Sequence, residues 1–193
     1  PWPLFFIGGN HEPVRHLDAI PDGGRVAANC TFLGRAGHIR IDDLHLGWLS
    51  GVYSPKSLDR PLAEDRTWTH VRSADLDAFA DCVAPDLLLL HDWPTGLADG
   101  MPGGRFAARP EQVGNPVARA LIERIDPALV AAGHMHLSLW RKEGRRTIWC
   151  LPRVEGGQGL VACVRNATGW FFSPESGPGG PRVPRSSFVA DLG

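Results

Sequence analysis

Apolar residues gather in three short, near-continuous runs, at residues 4–8, 85–90 and 127–132. Runs of this length without polar alternation read as strands buried on both faces, the kind found in parallel sheets covered by helices. Each run leads at once to histidine: Asn10 and His11 after the first, His91 after the second, His134 and His136 after the third. Ahead of the second and third runs the apolar spacing becomes helical. Leu76, Phe79, Ala80 and Val83 recur at i, i+3, i+4 and i+7, with Ser73 available as N-cap and Asp75 in the first turn. Ala118, Leu121, Ile122 and Ile125 repeat the pattern behind Asn115 and Pro116, a capping residue followed by proline at the first helical position.

Between these elements the pattern is that of antiparallel hairpins. Residues 38–51 carry an Asp-Asp turn between two short runs, residues 136–150 a Lys-Glu-Gly turn, and residues 160–164 and 169–172 pair across Asn166. After Ser173 a proline- and glycine-rich stretch reads as an exposed connection or tail. No repeat of 20–50 residues is present. The expectation is an α/β layered architecture with helices covering sheets, residues 1–172 forming one domain and 173–193 a tail.

Composition narrows the function classes. A chain of 193 residues, 43% hydrophobic, is enough for one sizeable core. The net charge is -1, and of the 20 basic residues only Lys56 and Lys142 are lysines, so positive charge is nearly all arginine and dispersed. That is not the basic stripe of a duplex-binding protein, and it leaves a small phosphorylated ligand or a short single strand as partner. Four cysteines lie far apart without a C-x-x-C pair, which predicts buried reduced thiols rather than a zinc ribbon. No apolar run approaches the roughly 18 residues of a membrane span, and a cytoplasmic location is expected.

Ligands of open α/β sheets collect outside the carboxyl ends of the strands, so three histidine-bearing strand ends are expected to converge. Asparagine, histidine and carboxylate suit divalent zinc, manganese or iron. In Gly133–His136 the histidines stand two apart, so an extended backbone points both rings to one side, and Gly133 lets the chain bend close to an ion. Taken singly, His91 reads more readily as a core or capping histidine than as a ligand, and Asn10 as a turn residue. Three such strand ends together point to a metal site. His16, His38, His45 and His70 lack this setting and read as surface or hairpin residues. No G-x-S-x-G, P-loop or H-E-x-x-H motif is present.

The stretches GGNHE, LLLLHDWP and AAGHMH, in this order, resemble the G-N-H-[ED], histidine and G-H-x-H motifs of calcineurin-like metallophosphoesterases. With the segments RVAANCTFLGRAGHIRIDDLHLGWLSGVYS, THVRSADLDAF and CLPR, the chain is similar over most of residues 3–153 to the catalytic domain of RNA lariat debranching enzymes and their prokaryotic relatives. The resemblance implies a four-layer αββα sandwich and a dinuclear site with two divalent ions, manganese, iron or zinc. Asn10, His91 and His134 would hold one ion and His136 the other. His11 would act beside the phosphate as leaving-group acid or electrostatic partner while a metal-bridging hydroxide attacks phosphorus. Asp92 is a candidate to fix a ligand histidine's tautomer, or else a turn residue, and Glu12 is expected to make a structural hydrogen bond. The implied reaction is hydrolysis of a phosphate mono- or diester, on a nucleotide or RNA. Arg60, Arg66, Arg105 and Arg109 are candidate phosphate contacts or solvated surface.

The family's two earlier motifs, D-x-H and G-D-x-x-D, cannot fit in the nine residues before Asn10. The N-terminal strands of the sandwich are therefore expected to be missing, leaving residues 4–8 as an unprotected edge. Three readings follow: a part of a longer enzyme, which is preferred; a piece completed by a partner chain; or a non-catalytic phosphate- or nucleotide-binding module. The chain alone is expected to be weakly active or inactive.

Overall fold

The computed structural model describes residues 2–12, 14–61, 69–99, 113–153, 161–166 and 169–174. Its centre is a six-stranded mixed sheet. The hairpin of β4 (Ala36–Ile41) and β5 (Leu44–Leu49) forms one edge, β6 (Leu87–Leu90) and β7 (Leu129–Ala132) run parallel to β5, and the hairpin of β8 (Leu139–Glu143) and β9 (Arg146–Cys150) closes the other edge, in the order β4-β5-β6-β7-β9-β8. A smaller sheet holds β1 (Leu4–Phe6), β2 (Gly24–Ala27) and β3 (Cys30–Phe32), with β1 parallel to β3 at its edge. A separate hairpin pairs β10 (Val161–Asn166) with β11 (Gly169–Pro174). The tail beyond residue 174 lies outside the described residues.

Two helical segments pack into one buried cluster on the central sheet. Helix α2 (Pro116–Ile125) buries the expected stripe of Ala118, Leu121, Ile122 and Ile125, following the single turn α1 (Val14–Leu17) in chain order. Its N-cap is Asn115, whose Oδ1 accepts from the Val117 and Ala118 amides at 2.9 and 3.0 Å, and Asp126 closes it in the left-handed conformation at φ 48°. Phe79, Leu88, Leu90, Trp93, Val130 and Ile148 join the same cluster.

The helix expected from Ser73 forms with a correction. Residues Ser73–Phe79 are a 3₁₀ helix, with Arg72 rather than Ser73 at the N-cap position. Asp75 anchors it: its carboxylate takes the Arg72 amide at 2.7 Å and both arms of Arg35 at 2.9 and 2.7 Å. The helix ends before Val83, which is 73% exposed instead of lying on the buried stripe. Because the helix stops at Phe79, Val83 is no longer on it and is not carried to the face that buries Phe79.

The apolar runs are covered less evenly than their composition suggests. In β6, Leu88 and Leu90 are buried, whereas Leu87 and Leu89 on the opposite face are half-buried. Among the described residues that second face gathers a smaller cluster, Leu129 and Trp149 with Leu87 and Leu151. The first run is not buried on both faces at all: Leu4 and Phe5 are 57% and 52% exposed, because β1 is paired on one side only and just Phe6 packs against Phe32 and Leu17. The 136–150 hairpin turns at Gly144 and Arg145, one residue beyond the expected Lys-Glu-Gly, with Gly144 at φ 63°. Cys82 and Cys150 are buried free thiols, as expected, whereas Cys30 is free but only half-buried.

Candidate active site

Register decides what the strand ends share. Leu90 of β6 is paired with Ala132 of β7, so His91 and the chain from Gly133 leave the sheet side by side, and the Gly133 amide donates to the His91 carbonyl at 3.1 Å. The chain after β1 crosses to the end of β5. There the Gly8 amide donates to Ser50 Oγ at 3.0 Å, and the Gly8 carbonyl accepts from Gly51 at 2.8 Å. This crossing sets Gly9 against the His91 ring: a Cβ on Gly9 would stand 2.2 Å from His91 Cε1, closer than any real contact. Glycine here is a matter of space.

Three of the expected ligands meet. His91 Nε2 lies 3.1 Å from Asn10 Oδ1, and the His91 and His134 ring centroids are 5.1 Å apart. Two ligands of one ion, each about 2.1 Å from it, stand roughly 3.0–3.4 Å apart, so the Asn10–His91 spacing fits a shared cation. Burial pushes the His91 imidazole down to about 4, helped by the neighbouring His134, His11 and His136 rings and opposed by Glu12. At neutral pH the ring is therefore uncharged, the form that binds metal.

The remaining residues are placed differently. His134 sits at φ 66° in a γ-turn closed by the Met135 amide on the Gly133 carbonyl at 2.8 Å, and His136 also has positive φ, 59°. The extended backbone expected for 133–136 is thus overturned. The two side chains find different partners: His134 faces His91, while the exposed His136 accepts at Nδ1 from Arg153 Nε at 3.0 Å. Backbone held in the left-handed region at two non-glycine residues costs of order 1 kcal/mol each and gathers at functional sites. Gly133 gives no close approach, since a Cβ there would meet only the His91 carbonyl at 3.6 Å. His11 is exposed, and its amide donates to Glu12 Oε2 at 3.1 Å. Asp92 is buried beside them, its Oδ2 accepting the Tyr53 amide at 3.1 Å; burial pushes its carboxyl up, against that amide and the His134 ring. Arg60 is exposed, and Arg66, Arg105 and Arg109 lie outside the described residues.

Asn10, His91 and His134 are thus a donor set suited to one divalent ion, with His136 nearby. Among the described residues, no three histidine, cysteine or carboxylate ligands come within 4.8 Å of one another at this site. Sequence reasoning gave no role to Arg153 or to the Tyr53 amide. Neither has a local signal, since Arg153 is 17 residues from His136 and Tyr53 is 39 from Asp92.

A mixed α/β fold whose strand ends bring asparagine and histidines together fits a metallophosphoesterase-like fold, and comparison with solved structures agrees on the fold. One crystal structure superposes with a TM-score of 0.53 at 14% identity, covering 88% of this chain and 61% of that one. No family model matches the chain. Relatives are clear at the sequence level: the lariat debranching enzymes of Arabidopsis thaliana (32% identical over 154 residues, 70% of this chain and 37% of that protein), Danio rerio (31% over 150 residues, 68% and 26%) and Saccharomyces cerevisiae (30% over 159 residues, 71% and 39%). The chain is a homologue of the lariat debranching enzymes over about 70% of its length, and it spans between 26% and 39% of the length of these relatives.

Proposed function

We propose that this chain carries part of a metal-dependent phosphoesterase site that hydrolyses a phosphate mono- or diester, a nucleotide or RNA being the substrate class. The observation that carries the reading is the convergence of Asn10 Oδ1 and His91 Nε2, 3.1 Å apart, beside the His134 ring. Homology to debranching enzymes supports it. Divalent ions bound there, manganese, iron or zinc, supply Lewis-acid polarisation of the phosphate and an acidified water.

The chain's own side chains take the other roles. Asn10, His91 and His134 hold one ion, and His136 contributes to a second. His11, exposed at the mouth, faces the phosphate and gives a proton to the leaving oxygen or balances its charge. Arg153 donates to His136, and buried Asp92 lies close enough to His134 to feel its ring. Gly133 and Glu12 shape the two turns, Glu12 through the His11 amide. Residues 1–172 make up the catalytic domain, which the end of β11 carries on to Pro174, and the residues beyond are the tail. The free thiols fit a reducing compartment, the cytoplasm.

The test is metal content after dialysis, together with hydrolysis of bis-p-nitrophenyl phosphate, before and after adding manganese. The expected result is one manganese-class ion per chain that His91→Ala removes, with slow turnover lost in the same variant. Retention of that ion by His91→Ala, or no ion in the unaltered chain, overturns the assignment of this site. Stable metal binding and phosphate binding without turnover favour the second reading, a phosphate- or nucleotide-binding module.

A further inference from the structure

The parallel strands have a second polar cluster at their opposite end. His38 on β4 and His45 on β5 are diagonal cross-strand neighbours, because His38 is paired with Gly47, two residues beyond His45. Their rings meet edge to face, with centroids 5.3 Å apart and His38 Nδ1 3.1 Å from His45 Nε2. Cys82, in the segment that leads from the 3₁₀ helix to β6, brings Sγ to 3.9 Å from the same His45 Nε2. One ligand atom from each residue falls within 4.8 Å of the others, and they are the sole such trio among the described residues.

We propose that His38, His45 and Cys82 form a metal site of their own, holding a zinc ion that pins the β4–β5 hairpin to the 3₁₀-helix segment. A tetrahedral zinc with bonds of about 2.05 Å to nitrogen and about 2.3 Å to sulfur spaces its N···N and N···S ligand pairs at about 3.3 and 3.6 Å. The observed 3.1 and 3.9 Å bracket those spacings with sub-ångström adjustment. A thiolate with two imidazoles selects zinc over magnesium or manganese, in contrast with the Asn-His-His set at the other end.

The surroundings are those of a metal site. His45 and Cys82 are 5% and 3% exposed, so two of the three donors already sit out of water. His38 is oriented from outside: Asp81 Oδ1 lies 3.1 Å from its Nε2, and a carboxylate there keeps the proton on Nε2 and turns the Nδ1 lone pair inward. The His45 amide is held by Asp86 Oδ2 at 2.7 Å, which ties the ligand strand to the start of β6. Coordination releases the Cys82 thiol proton to solvent and leaves the His45 ring proton on Nδ1, so Nε2 is free to bind. Three protein ligands leave a fourth position for water.

Position separates this site from the candidate active site. Asp86, whose side chain holds His45, precedes β6 and His91 follows it, five residues along a strand that rises about 3.3 Å per residue, or roughly 16 Å. Catalytic ligands of such sheets gather at the carboxyl ends, so an ion at the amino ends is structural.

Cobalt(II), a spectroscopic stand-in for zinc, tests this on the 193-residue chain under reducing conditions. The expected result is a near-ultraviolet thiolate-to-cobalt band that saturates at one ion per chain, persists in His91→Ala, disappears in Cys82→Ser and is displaced by zinc. Asp81→Asn should weaken binding about tenfold. His38→Gln, at a side chain 22% exposed, provides a second ligand variant should Cys82→Ser fail to give folded protein by circular dichroism. Absence of the band in the unaltered chain, or its full retention in folded Cys82→Ser or His38→Gln, overturns the proposal. Its loss in folded His91→Ala would mean that the two clusters do not bind independently, which also overturns the proposal of a separate site.

Discussion

At the scale of single residues, the candidate active site turns on the space Gly9 leaves. The His91 ring occupies the volume any other side chain at residue 9 would fill, and that contact sets the ring's position against Asn10. In Gly9→Ala the methyl group drives the ring away from Asn10 Oδ1, while β1 and its partners are untouched. The expected outcome is a 10- to 100-fold loss of manganese affinity by calorimetric titration, the size seen when a group that orients a metal ligand is removed. An affinity within twofold of the unaltered chain would show that the ring is free to reorient. Nothing in the local sequence marks Gly9 as different from Gly8. Gly8 meets only ordinary contacts, with a Cβ 3.4 Å from Phe32, and the distinction exists only because the β1 exit crosses the end of β6.

Among the elements, α2 shows local rules and tertiary packing agreeing. Asn115, Pro116 and the apolar stripe specify its start and its buried face. Asn115 has a second task, since its amide donates to the Trp93 carbonyl at 2.6 Å and its own carbonyl accepts from Thr95 at 3.3 Å, so the loop just past His91 hangs on the helix start. Replacing Asn115 with alanine strands two helix amides in a buried setting and should cost about 1–2 kcal/mol. The check is the urea midpoint, with an unchanged slope of free energy against denaturant. The 3₁₀ helix Ser73–Phe79 makes the opposite point. Its apolar spacing announces a helix, but Asp75 is claimed by Arg35, 40 residues away, and the turn tightens around that ion pair in a way no local propensity predicts.

For the molecule as a whole, the burial of His91 shapes the response to acid. His91 titrates near 4 in the folded chain against about 6.5 when unfolded, so between these values the unfolded chain binds the extra proton. Its folded pKa being lowered, this group leaves stability intact above pH 6.5 and withdraws it as pH falls toward 4, by at most about 3 kcal/mol. Chemical denaturation of the metal-free chain should show the midpoint falling across that window, and His91→Gln should flatten the fall. An equal decline in the variant would mean that other groups carry it.

The sequence by itself determined the elements and the chemistry available to them. Period and punctuation located the strands, α2 and the hairpins, because those signals are local, and the histidines following the apolar runs marked the strand ends that bring Asn10, His91 and His134 together. Only the tertiary structure decided which of these groups meet. Parallel register set His91 beside His134, a γ-turn parted His134 from His136, and the one-sided pairing of β1 left Leu4 and Phe5 exposed. It also joined His38 and His45 to Cys82, 37 residues beyond His45, turning what read as hairpin histidines and an inert thiol into a ligand cluster. The physical reason is common to all of these. Hydrophobic spacing and turn chemistry act over a few residues, whereas ligand geometry and burial depend on strand order and register, which emerge once distant segments pack.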